Sequence, residues 1–233
     1  MTSSKRLALF DLDHTLLPLD SDYQWADYLA RTGRAGDPAE AQRRNEELML
    51  RYNAGQLTAE QSAEFMLGLL TRAEPPELAR WHEQFMAEII RPAILPTATE
   101  LVREHLAQGD LCAIVTATNE FVTTPIARAF GIPNLIATIP EMLDGRYTGR
   151  IQGVPSFQAG KIARVNDWLA GMGLRLDDFS RSYFYSDSPN DLPLLEVVSH
   201  PIATNPSDTL REVARQRGWK ILDLFKDMRD AKS

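Results

Sequence analysis

The chain has 233 residues, 44% hydrophobic and 24% charged, and its 25 Lys and Arg against 32 Asp and Glu give a formal net charge of −7. That length allows one large domain or a core with a smaller insertion. The acidic balance, with no basic stripe to neutralise phosphates, argues against a nucleic-acid partner, and no apolar run approaches the roughly 20 residues of a membrane-spanning helix.

The first ten residues carry two basic side chains and a short apolar run that Asp11 and Asp13 interrupt, so 7–10 reads as a buried strand rather than a leader. A cytoplasmic protein is expected. From Ser21 to Arg91 the pattern is helical throughout. Asp20 or Ser21 caps a helix running to Gly33, and Asp37-Pro38 opens a second that ends near Asn53 to Gly55. Thr58-Ala59-Glu60-Gln61 is a capping box opening a third, and Pro75-Pro76 starts a fourth that should stop at Arg91, before Pro92. Four helices with no strand between them predict a small separate bundle. After Pro96 helices and strands alternate: helix 97–108, strand 111–115, helix 120–130, strand 134–139, a hairpin turning at Asp144-Gly145, helix 158–170, strand 182–185, helix 191–198, strand 201–203 and helix 207–217. The sum is an α/β fold, a doubly wound parallel sheet with a helical bundle inserted after its first strand. The expected division is a core of 1–17 and 93–233 and a bundle of 18–92, placed as a lid over the carboxyl ends of the strands. The single Cys112 reads as a small buried hydrophobe.

Four short segments stand at strand ends, where ligands bind in an open parallel sheet. Asp11 and Asp13 flank Leu12 directly behind the first strand. Two carboxylates so close are costly without a cation or shared proton, although the pair alone also fits a helix cap plus a solvated side chain. Asp187 and Asp191 lie in Ser-Asp-Ser-Pro-Asn-Asp after Tyr183-Phe184-Tyr185. An N-cap would explain Asp191, whereas a loop already rich in turn residues gains nothing from Asp187. Thr116, after strand 111–115, offers a hydroxyl and, with Ala117, neighbouring amides to phosphate oxygens; an ordinary turn would use it equally well. Lys161 opens a helix, where the dipole disfavours a cation and invites an anionic partner. Four carboxylates, a hydroxyl and an ammonium suit a divalent cation and a phosphate, hence phosphoryl transfer. Oxygen-only ligands favour Mg²⁺, and no His/Cys cluster competes for zinc. His82 and His105 read as surface or packing residues.

Asp11-Leu12-Asp13-His14-Thr15-Leu16, Thr116, Lys161 and the segment from Ser186-Asp187 to Asp191 resemble, in order, the four motifs of the haloacid dehalogenase superfamily. The helical insertion between the first two resembles its phosphoserine-phosphatase-like branch, and the likeness spans nearly the whole chain. It implies a Mg²⁺-dependent phosphatase. Asp11 would attack phosphorus and Asp13 would protonate the leaving alcohol. Asp11, the Asp13 carbonyl and Asp187 would hold the metal with Asp191 close by, while Thr116, Ala117 and Lys161 bind the phosphoryl oxygens. His14 departs from the small residue common at its position and becomes a candidate substrate contact.

The insertion should choose the substrate. Asp20 and Asp22 lie at its neck, where the branch uses an acidic residue for the substrate ammonium. The arginine that should follow for a substrate carboxylate is replaced by Ala63, Glu64, Phe65 and Met66, and Arg72 comes too late. The expected substrate is therefore a small amine-bearing phosphate ester without a carboxylate, histidinol phosphate first and phosphoserine second. A non-catalytic binder of phosphorylated metabolites and a phosphotransferase are the other classes. The expected assembly is a monomer or homodimer.

Overall fold

The apolar run near the start of the chain becomes the central strand of a seven-stranded sheet. The computed structural model describes residues 5–54 and 56–225. In β1 (Arg6–Phe10), Leu7 and Leu9 face one side and Ala8 and Phe10 the other, and all four are fully buried. Burial on both faces is why the strand is apolar throughout rather than alternating.

Beside it run β2 (Leu111–Asn119), β3 (Asn134–Leu143) and β4 (Arg146–Gln152) to one side, and β5 (Arg181–Ser186), β6 (His200–Thr204) and β7 (Lys220–Leu222) to the other. The order is β4-β3-β2-β1-β5-β6-β7, parallel except for the β3–β4 hairpin. Asp144 and Gly145 turn that hairpin with φ of 50° and 77°. β1 therefore lies between β2 and β5, and the ends of these three strands open at one edge. The three-residue β7 is too short to give a periodic signal.

Between β1 and β2 lie α1 (Ser21–Arg31), α2 (Pro38–Asn53), α3 (Ala59–Gly68), α4 (Pro75–Phe85), α5 (Arg91–Ala93) and α6 (Pro96–Ala107). Asp20 caps α1 by accepting the Tyr23 N–H at 2.8 Å, and Thr58 and Gln61 form the expected capping box. α2 ends at Asn53, within the stop expected near Asn53 to Gly55, and Gly55 itself lies outside the described residues. The fourth helix does not stop at Arg91. It widens into a π turn, Met86–Ile90, and continues through Pro92. The Arg91 N–H reaches back five residues to the Met86 carbonyl, and this wide turn takes up the proline ring.

On the other side of the sequence stand α7 (Glu120–Ala129), α8 (Ala159–Gly171), α9 (Leu192–Leu195) and α10 (Asp208–Arg217). The helix expected over 191–198 shrinks to a 3-10 turn, Pro189–Asp191, and the four residues of α9. Pro193 sits in that first turn, and the segment bends away after Leu195.

One continuous hydrophobic cluster joins the insertion to the sheet. It runs from Trp25, Tyr28 and Leu29 of α1 through Phe85 of α4 and Val122 and Ile126 of α7 to Phe10 and Ile114. His82 is buried inside it, its Nε2–H donating to the Val122 carbonyl at 2.9 Å. His105 bridges Asp110 and the Tyr185 hydroxyl, each at 2.7 Å. Of the two readings open for them, surface or packing, both histidines take the second, and Cys112 is buried.

Candidate active site

A cleft of about 680 Å³ opens over the ends of β1, β2 and β5 and under α1, α2 and α3. Its floor is set by the sheet register. Phe10 pairs with Tyr185, and the Asp11 N–H donates to the Tyr185 carbonyl at 2.9 Å, which brings Asp11 beside the segment 186–187. The Asp11 side chain is held at both oxygens. Oδ1 accepts from Lys161 Nζ at 2.8 Å and Oδ2 from the Thr15 hydroxyl at 3.2 Å. The Thr15 oxygen also lies 3.3 Å from Asp187 Oδ1 and accepts the Asp187 N–H at 3.0 Å, which ties the first and fourth motifs together.

Lys161 is almost completely buried and makes a second 2.8 Å contact to Asp191 Oδ2, which also accepts from Ser186 Oγ at 2.7 Å. Burial works to lower the Lys161 pKa, but Asp11 and Asp191 outweigh it and hold the ammonium charged. The lysine is aimed by a tight turn. Gln158 takes φ of 48°, and a Cβ on Gly160 would stand 2.2 Å from the Pro155 carbonyl oxygen. Only glycine lets the backbone pass there.

Asp13 points away from this pair toward the root of the insertion. Its Oδ1 accepts the Ser21 N–H at 2.9 Å and its Oδ2 the Thr118 hydroxyl at 2.7 Å. Asp22 accepts from Asn119 Nδ2 at 2.9 Å, and Asp20 stands beside them as the cap of α1. Thr116 and Ala117 line the floor, but within β2 rather than after it. The strand runs on to Asn119, and its pairing with β3 is interrupted between Val115 and Asn119. His14 is exposed at the rim with φ of 59°.

Carboxylates outnumber cations here, and the carboxyl pKa values are raised accordingly. Burial, opposed by Lys161 and reinforced by Asp191, lifts Asp11 to about 6. Burial followed by Asp20 lifts Asp13 to about 6. Burial followed by Asp11 and Asp191 lifts Asp187 to about 8. Burial, then Asp20 and Asp13, also pushes Asp22 well up. Such a group is short of positive charge, and its all-oxygen donors suit a hard divalent cation. Among the described residues no three His, Cys, Asp or Glu side chains converge as a metal cluster. A divalent cation here would have to draw on few carboxylates together with backbone carbonyl and water.

All ten residues singled out from the sequence line this one cleft. Sequence reasoning missed Thr15, Ser186, Thr118, Asn119 and Ser21, which orient the carboxylates. The two-residue spacing of Thr116 and Thr118 would have placed both on one strand face, had the strand been carried past Val115.

The family model for haloacid dehalogenase-like hydrolases matches residues 8–196. A histidinol-phosphatase of Neisseria meningitidis is 46% identical over 220 residues, covering 94% of this chain and 99% of that protein. A phosphoserine phosphatase of Mycobacterium tuberculosis is 37% identical over 147 residues, 63% of this chain and 47% of that longer protein. A protein of unknown function from Bordetella pertussis Tohama I superposes with a TM-score of 0.94 at 71% identity, covering 96% of this chain and 100% of its own. A substrate-bound phosphoserine phosphatase, 21% identical, shares the fold with a TM-score of 0.68 over 94% of this chain and 93% of its own.

Gly160→Ala tests the turn that aims Lys161. The new methyl group must displace the Pro155 carbonyl or the helix start, at a cost of about 1–3 kcal/mol in stability. Displacement of Nζ should lower phosphate release from an aryl phosphate by about 10–100-fold, read as kcat/KM beside the melting temperature.

Proposed function

This chain belongs to the haloacid dehalogenase-like hydrolases and is a phosphatase acting on small phosphate esters, and we propose that its substrate is an amine-bearing monoester, histidinol phosphate before phosphoserine. The carrying observation is the lining of the cleft. Asp20 and Asp22 stand at its neck, Leu48, Met49 and Met66 supply apolar wall, and Lys161 on the floor is the only Lys or Arg among the described lining residues. An ammonium finds carboxylates there and an apolar body finds methyl and thioether groups, while a substrate carboxylate finds no guanidinium. The activity named for the Neisseria relative supports the same choice.

In this reading residues 18–92 act as a cap over a core of 1–17 and 93–233. An Asp11 oxygen attacks phosphorus and the ester oxygen departs, leaving an aspartyl-phosphate that water then hydrolyses. Asp13 gives its proton to the leaving oxygen and later takes one from that water. Thr116, the Ala117 amide and Lys161 hold the transferring oxygens, and Lys161 offsets charge on Asp11. Asp11, the Asp13 carbonyl and Asp187 hold Mg²⁺, with Asp191 adjacent and one of its oxygens already occupied by Lys161 and Ser186. When bound, the ion supplies positive charge to the phosphoryl group. His14 at the rim contacts the substrate's outer end.

Three outcomes test this reading. Asp11→Asn should cut phosphate release by more than about a thousandfold while the circular dichroism spectrum keeps its wild-type shape, with the melting temperature lowered by the charge lost beside Lys161. In steady-state kinetics kcat/KM for histidinol phosphate should exceed that for phosphoserine by at least about 100-fold; the reverse order would remove the missing-arginine argument. The third outcome concerns stability. Asp11, Asp13 and Asp187 titrate higher when folded than the usual carboxylate value, so the metal-free fold binds the extra protons. Their favourable contribution is therefore full below about pH 4 and is lost as pH rises through 6 to 8. Mg²⁺ should raise the melting temperature more at pH 8 than at pH 5.

A further inference from the structure

The end of β2 touches the root of the insertion at two adjacent points. The Thr118 hydroxyl donates to Asp13 Oδ2 at 2.7 Å and also lies within reach of the Asp22 carboxyl, and the next residue, Asn119, donates from Nδ2 to Asp22 Oδ1 at 2.9 Å. Both donors are buried, with 5% and 3% of their surface exposed. Asn119 is itself fixed, since its Oδ1 caps α7 by accepting the Val122 N–H at 3.1 Å. The residue before Asp22, Ser21, supplies the other bond to Asp13, through its N–H to Oδ1 at 2.9 Å. The pair 118–119 on β2 thus grips Asp13 directly and, through α1, the backbone that holds its second oxygen. The aromatic contact between Trp25 of α1 and Phe121 of α7, centroids 5.6 Å apart, keeps the two sides of this grip together.

We propose that Thr118 is the positioning residue for proton delivery: it sets the Asp13 rotamer so that the carboxyl proton meets the departing ester oxygen. The inference rests on the reading of Asp13 as general acid. Each Asp13 oxygen accepts one bond from the protein and keeps a second lone pair, so one oxygen can carry the proton without losing either tether. In the first step a bond forms from an Asp11 oxygen to phosphorus as the bond from phosphorus to the ester oxygen breaks. The electron pair of the broken bond stays on the ester oxygen, which takes the proton from Asp13. Asp13 is left as a carboxylate, and the Thr118 O–H and Ser21 N–H now point at a charged acceptor, where hydrogen bonds are strongest. The hydroxyl therefore aims the acid and also favours the state the transfer produces.

A leaving-group series separates this role from a structural one, because a leaving group that is stable as an anion needs no proton. The substrates are p-nitrophenyl phosphate, phenyl phosphate and histidinol phosphate, and the readout is kcat/KM, which reports only the steps up to phosphorylation of Asp11. Thr118→Val should lower kcat/KM for histidinol phosphate by about 10–100-fold, for phenyl phosphate by less, and for p-nitrophenyl phosphate by under about threefold. Thr118→Ala, which removes the same hydroxyl without a second methyl, should repeat the gradient. Thr118→Ser, which keeps the hydroxyl, should restore every substrate to within about threefold. Equal losses on phenyl and p-nitrophenyl phosphate, neither of which carries an amine for Asp22, no loss on any ester, or failure of the Ser variant to rescue would overturn the assignment. Asp13→Asn in the same series distinguishes the two levels of the argument. If it too lowers all esters equally, the general-acid reading of Asp13 fails. If it is selective while Thr118→Val is uniform, only the inference about Thr118 fails.

Discussion

A buried ammonium between two carboxylates fixes the geometry of the cleft. Lys161 reaches Asp11 and Asp191 at 2.8 Å each, and the three residues come from the first turn of α8, the position directly after β1 and the turn after β5. Removing either carboxylate would leave a desolvated charge short of a partner, which in buried pairs costs about 3–5 kcal/mol. The arrangement therefore constrains the backbone on every side. The loop after β5 must close on Ser186 and Asp191, the 155–160 turn must pass a carbonyl that leaves no room for a side chain at Gly160, and Asp11 must follow its strand without a spacer. Asp11 emerges with one oxygen on Lys161 and the other on Thr15, a fixed orientation rather than a sampled one.

What the sequence made legible follows from cost. Asp11, Asp187 and Lys161 could be picked out because each is an expensive side chain at an unhelpful place, and their places were resolved by meeting one another. Hydroxyls carry no such mark. Thr15, Ser186 and Thr118 look like ordinary turn residues until the sheet register brings a carboxylate to each. The same holds for the fold. Strands buried on both faces announced themselves as apolar runs, and caps such as Thr58 to Gln61 announced helix starts. The polar continuation of β2 through Thr116-Ala117-Thr118-Asn119 did not, because its residues pair irregularly and serve the cleft. The π turn before Pro92 was equally hidden, since a proline normally reads as a stop and only the three-dimensional ladder reveals how it was absorbed.

The insertion and the sheet share one hydrophobic core, and this divides the cleft walls into two kinds. The root of α1 is anchored by Trp25, Tyr28 and Leu29, all essentially inaccessible to solvent, against α4 and α7. Asp20, Ser21 and Asp22 sit on that anchored root, so the carboxylates at the neck are fixed relative to the sheet. The wall farther out, contributed by Leu48, Met49, Ser62 and Ala63, belongs to α2 and α3, where Leu50 is 71% exposed. In the proposed reading, charge recognition thus stands on the firm part of the insertion and shape recognition on the part with fewer buried side chains.

That layering answers how a protein of net charge −7 can admit a phosphate ester. Lys161 lies at the floor, while Asp13, Asp20 and Asp22 ring the neck above it. In the proposed reading a dianionic ester without a positive group passes Asp20 and Asp22, and Asp13 carrying the proton it will donate, before it meets the ammonium. An ester that also carries an amine crosses the same ring with its cation matched to the carboxylates and its phosphate directed down to Lys161. On that reading the field favours zwitterions, oriented phosphate-first, over simple anions, which enter less readily. Selectivity of this kind needs no basic residue in the insertion, and a guanidinium there would weaken it by admitting a second anionic group.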